Sequence, residues 1–480
     1  MAEARSVAGI NIALTHDGVA VSYDQELLRD IWSAFSRSYR KRFARFKNHF
    51  KAGIFPANLT SLVATLGIVV LGALFYIDLT LGIVTLLRNW ILYYIFGSGY
   101  FCHMMSLLIG GSLFWFILIQ IMRLSLKFLL SYKGWMYQSS FEKNITQFTK
   151  IWFGILHFIS KFEPTLHSFQ GSLPHLPLPN LDDTLDRHLK SIRPFTTDDE
   201  YNEMVLLTEK FRKGLGRRLQ RYLIIKSWLS VNYVSDWWEE FVYMRQRSPI
   251  MINSNYYGFD TLNMQPTHLQ AARAANITWA ALLFRRMIER QEVTPFSLSP
   301  KSKVPFCTIQ YERLFNSCRI PGEESDTFRV FNDAKHIAVY CRGCWFKLSI
   351  HSGKRLLEPK ELQHAFQEIL DSDCTPQKGE AELAAFTAGE RTPWAIARRR
   401  YFNTGINKLS LRAIEGAAFV VILDEEEVYY DENDPSKLDK WAQSLLHGKA
   451  TDRWFDKSFN FVIFKNGKMG INAEHSWGEN

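Results

Sequence analysis

Residues 59–77 and 101–122 contain no Asp, Glu, Lys or Arg, and this absence constrains the chain more than any motif in it. The two stretches are 19 and 22 residues long. As helices rising ~1.5 Å per residue, each comes close to the ~30 Å hydrocarbon core of a bilayer. Core helices of water-soluble domains seldom stay uncharged for so long. The pattern therefore predicts two membrane-spanning helices, bounded at 55–77 and 101–122. The segment between them, 78–100, is apolar but broken by Arg88, Asn89 and Gly97-Ser98-Gly99. It is expected to form a loop or a short interfacial helix.

The net charge of +9 is placed where a membrane would use it. Residues 36–51 hold Arg37, Arg40, Lys41, Arg42, Arg45, Lys47 and Lys51 and no acidic side chain. Such a run suits nucleic acid or an anionic membrane. Here it directly precedes an apolar stretch, and no nucleic-acid recognition motif accompanies it, so a membrane flank is favoured and no nucleic-acid partner is expected. Arg123, Lys127 and Lys133 follow the second stretch. Two crossings flanked by basic residues put both outer flanks on the cytosolic side. Residues 1–50 then form a small cytosolic head with a basic juxtamembrane helix. Its start, residues 10–14 and 19–23 about a His16-Asp17-Gly18 turn, reads as a strand pair. No signal-peptide core is present at the extreme N-terminus.

Residues 123–164 read as a linker, and from about 165 onward the pattern is globular and mixed. Helical periodicity covers 196–246, 266–292, 359–371 and 436–447, with a strand pair over 336–350. The six cysteines show no disulfide-framework spacing, which favours a reducing compartment. Cys341-Arg-Gly-Cys344 lies on the predicted strand pair and lacks further ligands at zinc spacing, so no metal is expected. A phosphate-binding loop, a GxSxG elbow and HExxH are all missing. The carboxylates of Asp236-Trp-Trp-Glu-Glu240 read as a solvated helix face beside aromatic packing.

One constellation invites chemistry. Residues 459–464 are apolar and β-prone, Asn466-Gly467 supplies two residues tolerant of positive φ for a tight turn, and residues 469–473 return as the partner strand. The hairpin follows Arg453-Trp-Phe-Asp-Lys457 and delivers Ala473-Glu-His475-Ser-Trp477. An imidazole fixed at a strand end suits proton transfer near neutral pH. A second stretch, Leu173-Pro-His-Leu-Pro-Leu-Pro-Asn-Leu181, reads as an extended proline-set entry into a helix that Asp183 or Thr184 helps to start.

Together these two stretches resemble the signatures of the carnitine/choline acyltransferase family. Leu129-Leu-Ser-Tyr-Lys-Gly-Trp-Met136, Asn232-Tyr-Val-Ser-Asp-Trp-Trp-Glu-Glu240, Asn253-Ser-Asn-Tyr-Tyr257, Gln270-Ala-Ala-Arg273 and Arg319-Ile-Pro-Gly-Glu323 resemble its outer-membrane carnitine palmitoyltransferase branch. The resemblance covers the whole chain. It implies an α/β (α+β) fold, with 165–480 as the N-terminal half of the acyltransferase domain behind a two-helix transmembrane hairpin and a regulatory head. It implies His475 as the general base that takes the carnitine hydroxyl proton, while that oxygen attacks the thioester of a long-chain acyl-CoA. Glu479, four residues on, matches a supporting acidic position. Glu3 matches a head residue used in inhibition by malonyl-CoA, whereas Arg5 stands where relatives often carry histidine.

Acyl-CoA and carnitine enter as substrates, no bound cofactor is implied, and self-association is one expectation. The mitochondrial outer membrane is the implied location, with the endoplasmic reticulum as the alternative. Relatives carry their oxyanion motif and their CoA and carnitine contacts after the histidine. From that departure, these 480 residues alone are expected to have little activity. The alternative function is a non-catalytic membrane partner that binds acyl-CoA or modulates the complete enzyme.

Overall fold

Alternation of side chains along two short runs organises the fold. Val421, Leu423, Phe459, Phe461 and Ile463 face one apolar cluster, whereas Val420, Ile422, Val462 and Phe464 face another. A strand buried on both faces needs a layer on each side, and the chain supplies helices for both. The computed structural model describes residues 10–15, 18–23, 25–137, 146–297, 304–332, 334–353 and 355–475. It divides into two compact units, one formed by residues up to 172 together with those from 246 onward, the other by Leu173–Arg245.

In the first unit, strands β1 (Ile10–Thr15) and β2 (Gly18–Tyr23) pair antiparallel, as the head pattern predicts. Helix α1 (Gln25–Ile54) runs through the whole basic block. It bends by 53° into α2 (Leu59–Leu74), whose first turn is closed by a capping box between Asn58 and Ser61. The positive φ of Tyr76 follows soon after, so α2 has 16 residues, fewer than the 19 uncharged ones. Among the described residues one helix, Tyr100–Leu130 (α3), is by itself long and apolar enough to cross a membrane, and the bent α1–α2 pair is the second candidate.

Residues 83–96 form a short apolar helix lying against α3. Gly110 and Gly111 let that helix and α2 approach α3: a Cβ on Gly110 would meet Val84, and one on Gly111 would meet Leu66. The Trp115 indole N–H donates to Ser61 Oγ at 2.9 Å. Arg123 donates to the carbonyls of Ala52, Gly53 and Phe55, placing a cation at the C-terminal end of α1.

The expected linker is structured. Helix α4 (Gln147–Ile159) packs Trp152 and Leu156 with Phe55, Leu126 and Phe169. These aromatic and aliphatic side chains become a satellite core within the segment read as a linker.

The second unit follows the proline-rich entry. Helices α5 (Leu181–Ile192), α6 (Asp198–Lys213) and α7 (Leu215–Leu229) make it up, with short turns after residue 234. The N-cap of α5 is Asn180, whose side chain accepts from the Asp182 amide. Asp183 and Thr184, the sequence candidates, lie one turn inside the helix. Gly214, at a ψ of −107°, separates α6 from α7 within the helical stretch expected over 196–246.

The rest of the first unit is a three-layer α/β arrangement. Its six-stranded sheet has the order β3 (Tyr256–Phe259), β10 (Met469–Ala473), β9 (Phe459–Ile463), β8 (Val420–Leu423), β6 (His336–Cys341) and β7 (Cys344–Ser349). β8 is parallel to β6 and β9; the other pairs are antiparallel. A separate antiparallel pair, β4 (Ser317–Ile320) and β5 (Thr327–Val330), is tied to the sheet region through Cys318 and Lys457.

Helices α8 (Gln270–Glu289) and α9 (Pro359–Asp371) cover one face of the sheet. Helices α10 (Arg391–Tyr401), α11 (Gly405–Glu415) and α12 (Pro435–Leu446) cover the other through Trp394, Leu411 and Trp441. Pro359 at the start of α9 and Pro435 at the start of α12 sit where a missing amide costs nothing.

Candidate active site

The β9–β10 hairpin forms as its apolar pattern requires, but its turn differs from the tight two-residue form. Gly467 has φ +83°, whereas Asn466 does not take a positive φ. The Gly467 amide donates to Phe464 O and the Phe464 amide to Lys468 O, each at 2.9 Å. This is a longer turn closed by one left-handed glycine. Asn466 serves it differently, accepting from the Lys468 amide and donating to Val428 O at 2.8 Å.

β10 lies between β9 and β3, and His475 follows it by two residues. The imidazole is half-buried and packs edge-on against the Tyr256 ring, centroids 5.3 Å apart. Tyr256 pairs with Ala473 in the β3–β10 register, so the sheet itself sets this contact. Burial, with the charge of Glu474 beside it, pushes the Tyr256 hydroxyl above its ordinary pKa.

Glu474, immediately before the histidine, is buried and anchors this strand end. Its Oε1 accepts from Arg319 Nη1 and from Ser254 Oγ, both at 3.1 Å, and its amide donates to Ser458 O. Arg319 also donates to Asp326 at 2.6 Å, and Asp326 accepts from Arg391 at 2.7 Å. Arg391 reaches Asp456 at 2.6 Å, and the Trp394 indole donates to Asp456 at 2.8 Å. Arg247 lies 3.0 Å from the other Asp326 oxygen.

Three arginines thus face three carboxylates, and the charges balance. Balance matters because an unpaired buried charge costs several kcal/mol, roughly 3–5 when one partner is removed. The network joins β4, α10, the segment before β9 and the residue beside His475. One rigid body therefore sets where the imidazole stands.

Burial alone would raise Asp326, but Arg391 and Arg319 outweigh it and hold the carboxyl below its ordinary value. At Asp456 burial prevails, pushing the carboxyl up to about 6 against Arg391 and Trp394. Burial would lower Arg391, yet Asp456 and Asp326 keep it above its ordinary value. Lys457, buried and donating to Glu415 O at 2.6 Å, is brought down to about 8 by burial.

The basic–aromatic segment before β9 is thereby explained residue by residue. Arg453 pairs with Asp424 at 3.1 Å, Trp454 is buried in the second core, Asp456 meets Arg391 and Lys457 reaches Glu415. Asn460 brackets it, accepting from the Trp454 amide and donating to its carbonyl, each at 3.1 Å. Asn255 donates to Phe455 O and to Asn472 Oδ1. The stretch containing Asn253 and Tyr257 is thus physically joined to the hairpin.

Other sequence candidates fall elsewhere. Glu3, Arg5 and Glu479 lie outside the described residues. Asp236 is exposed and pairs with Lys226 at 2.7 Å, while Glu240 pairs with Arg245 at 2.8 Å, as expected for a solvated face. Cys341 and Cys344 face each other on the β6–β7 hairpin, whose turn residues Arg342 and Gly343 both take positive φ. All six cysteines are free thiols. Among the described residues no group of three or more His, Cys, Asp or Glu is arranged to hold a metal ion.

Asp326 and Arg391 went unnoticed in the sequence. Neither belongs to a motif, and they converge across 65 residues of chain.

A family profile described as Choline/Carnitine o-acyltransferase matches residues 176–480, and one described as Carnitine O-palmitoyltransferase N-terminus matches residues 1–47. The human protein named Carnitine O-palmitoyltransferase 1, liver isoform, is 47% identical over 480 residues, covering 100% of this chain and 62% of the relative. The human muscle isoform is 41% identical over 484 residues, again covering 100% of this chain and 62% of the relative. Human Carnitine O-palmitoyltransferase 2, mitochondrial, is 30% identical over 348 residues, 66% of this chain and 51% of that protein. The chain therefore spans less than two thirds of the length of these relatives.

Proposed function

The chain belongs to the choline/carnitine O-acyltransferase family, within its carnitine O-palmitoyltransferase 1 group, and from that premise we propose that it serves transfer of a long-chain acyl group from acyl-CoA to the carnitine hydroxyl. The supporting observation is the placement of His475. It stands at the end of a central strand, beside a glutamate locked into a buried ion network, half-exposed and backed by Tyr256.

In this reading His475 removes the proton from the carnitine hydroxyl as that oxygen attacks the thioester carbonyl. The tetrahedral intermediate collapses, the C–S bond breaks, and the imidazolium returns its proton to the departing CoA thiolate. Glu474 does not take the proton, because Arg319 and Ser254 already hold it. Its part is to fix the backbone from which the imidazole projects.

The same proposal places α3, and α2 with the turn of α1 leading into it, in the mitochondrial outer membrane. Glu479 supports the base, and Glu3 belongs to a head through which malonyl-CoA inhibits. Contacts of α1 with the acyltransferase portion support a regulatory head: Arg45 to Glu312 at 2.6 Å, Lys41 to Glu289 at 3.3 Å, and Asn48 to Arg290 O at 2.9 Å.

The test is acylcarnitine formation by the membrane-bound protein that carries these residues. His475→Ala is expected to lower turnover by ~10²–10⁴-fold with KM for acyl-CoA little changed. Wild-type turnover in the variant would refute the assignment.

A further inference from the structure

Helices α10 and α11 meet β5 around a cavity whose lining includes no residue of the hairpin that carries His475. Its volume is about 300 Å³, and Arg329, Lys408, Arg412, Phe331 and Phe402 line it. A second cavity of about 250 Å³ adjoins it through Arg398, Phe402 and Asn403.

The charge in these walls is unbalanced. Arg398 is neutralised by a two-pronged pair with Glu415, both contacts at 2.9 Å, and Arg399 pairs with Glu323. Among the described residues, Arg329, Lys408 and Arg412 have no carboxylate within ion-pair reach. The arginines of the nearby buried network, by contrast, are each matched to an acid. Three cations gathered on one concave surface repel each other, and an anion in the cavity would relieve that repulsion.

The walls carry a second signal. Phe331 and Phe402 are only half-buried, and the Arg329 guanidinium lies 4.9 Å from the Phe331 centroid, which holds it in place by a cation–π contact. Lys408 and Arg412 are four residues apart on α11 and so lie on one helix face. Phe331 already meets Arg329 and Lys457, while Phe402 packs against Phe386 and Trp394 and stays half-buried. A bare anion would therefore use the cations and not the exposed part of the Phe402 ring. A ligand with both phosphate groups and a planar ring would use both.

We propose that this cavity binds a nucleoside phosphate, with its phosphates on Arg329, Lys408 and Arg412 and its base against Phe402. Adenosine phosphates occur both as free nucleotides and as the nucleotide half of CoA, and either source satisfies the chemistry.

The experiment is calorimetric titration of the detergent-solubilised protein at fixed ionic strength, with ATP, inorganic tripolyphosphate and CoA as probes. ATP is expected to bind about tenfold or more tightly than tripolyphosphate. The double variant Lys408→Ala/Arg412→Ala should weaken ATP by at least about tenfold, since each lost charged hydrogen bond removes that order of affinity. Its thermal midpoint should stay unchanged. Phe402→Ala should weaken ATP and leave tripolyphosphate unaffected. Displacement of ATP by CoA, lost in the double variant, would assign the site to the nucleotide half of CoA; failure of CoA to compete would assign it to free nucleotides. The proposal is overturned if ATP does not bind at millimolar concentration, if the double variant binds it as well as wild type, or if tripolyphosphate binds as tightly as ATP. None of these readouts depends on acyl transfer, so they separate this site from the reading of His475.

Discussion

Asp326 is the carboxylate on which the network beside His475 turns, because it accepts from Arg319 and Arg391 and faces Arg247. Replacing it by Asn removes one negative charge among three cations. At neutral pH, Asp326→Asn should destabilise the protein by about 3–5 kcal/mol. The pH dependence carries a distinct signature. The folded carboxyl is held below its ordinary value, so its stabilisation is complete above the unfolded pKa of ~3.9 and is lost as pH falls through the folded one. Thermal midpoints of wild type and variant, recorded from pH 7 down to pH 2.5, should therefore converge only below about 4. A gap that stays constant through that window would show that charge is not what the variant removes. A milder change, Glu474→Gln, keeps the shape while loosening the Arg319 contact. It should cut turnover by about tenfold at an almost unchanged KM, because it disturbs the backbone beneath the base and not the substrate's own contacts.

Elements were legible where local chemistry decides them. The apolar, β-prone run in 459–464 foretold a strand, the helical periodicity of 359–371 foretold α9, and the apolar run in 101–122 the body of α3. Asn466 misled because its preference for left-handed backbone is only a tendency. Here its side chain gains more by bonding to Val428 O and the Lys468 amide in an ordinary conformation. Gly467 is the residue the turn cannot exchange. Its φ is +83°, and a Cβ there would overlap the Thr267 carbonyl oxygen. Gly467→Ala should cost at least about 2 kcal/mol, read as a lower urea midpoint with an unchanged slope. Since β10 leads straight to His475, activity should fall with it. Equal stability of the variant would mean that the turn is free to re-form in another conformation. The ion network was illegible for the opposite reason: Arg319 and Glu474 meet across 155 residues, and no local pattern announces such a meeting.

At the scale of the whole molecule, one geometric fact bears on the proposed membrane topology. α1 precedes the apolar helices and α8 follows them, yet Lys41 pairs with Glu289, Arg45 with Glu312, and Asn48 donates to Arg290 O. Segments in contact cannot lie on opposite faces of a bilayer, so the stretch between them must cross an even number of times. If α3 is one crossing, as proposed, the topology needs a second. α2 alone, at 16 residues or about 24 Å, falls short of a ~30 Å hydrocarbon core, so it needs the turn of α1 leading into it or local thinning of the bilayer. In the proposed topology the basic residues of α1 and Arg123 would put the outer flanks on the cytosolic side. In intact organelles, an epitope tag placed before residue 10 and one inserted near residue 172 should both be cut by added protease, while a tag between α2 and α3 should survive until the membrane is breached. Protection of the first two tags with loss of the third would reverse the orientation. Opposite fates for the first two would mean that the α1–α8 contacts do not exist in the membrane-bound protein. Arg45→Glu supplies an independent check on those contacts, because it sets two carboxylates against each other. It should loosen α1 enough to expose residues 25–54 to cleavage, without moving the thermal midpoint of the acyltransferase portion.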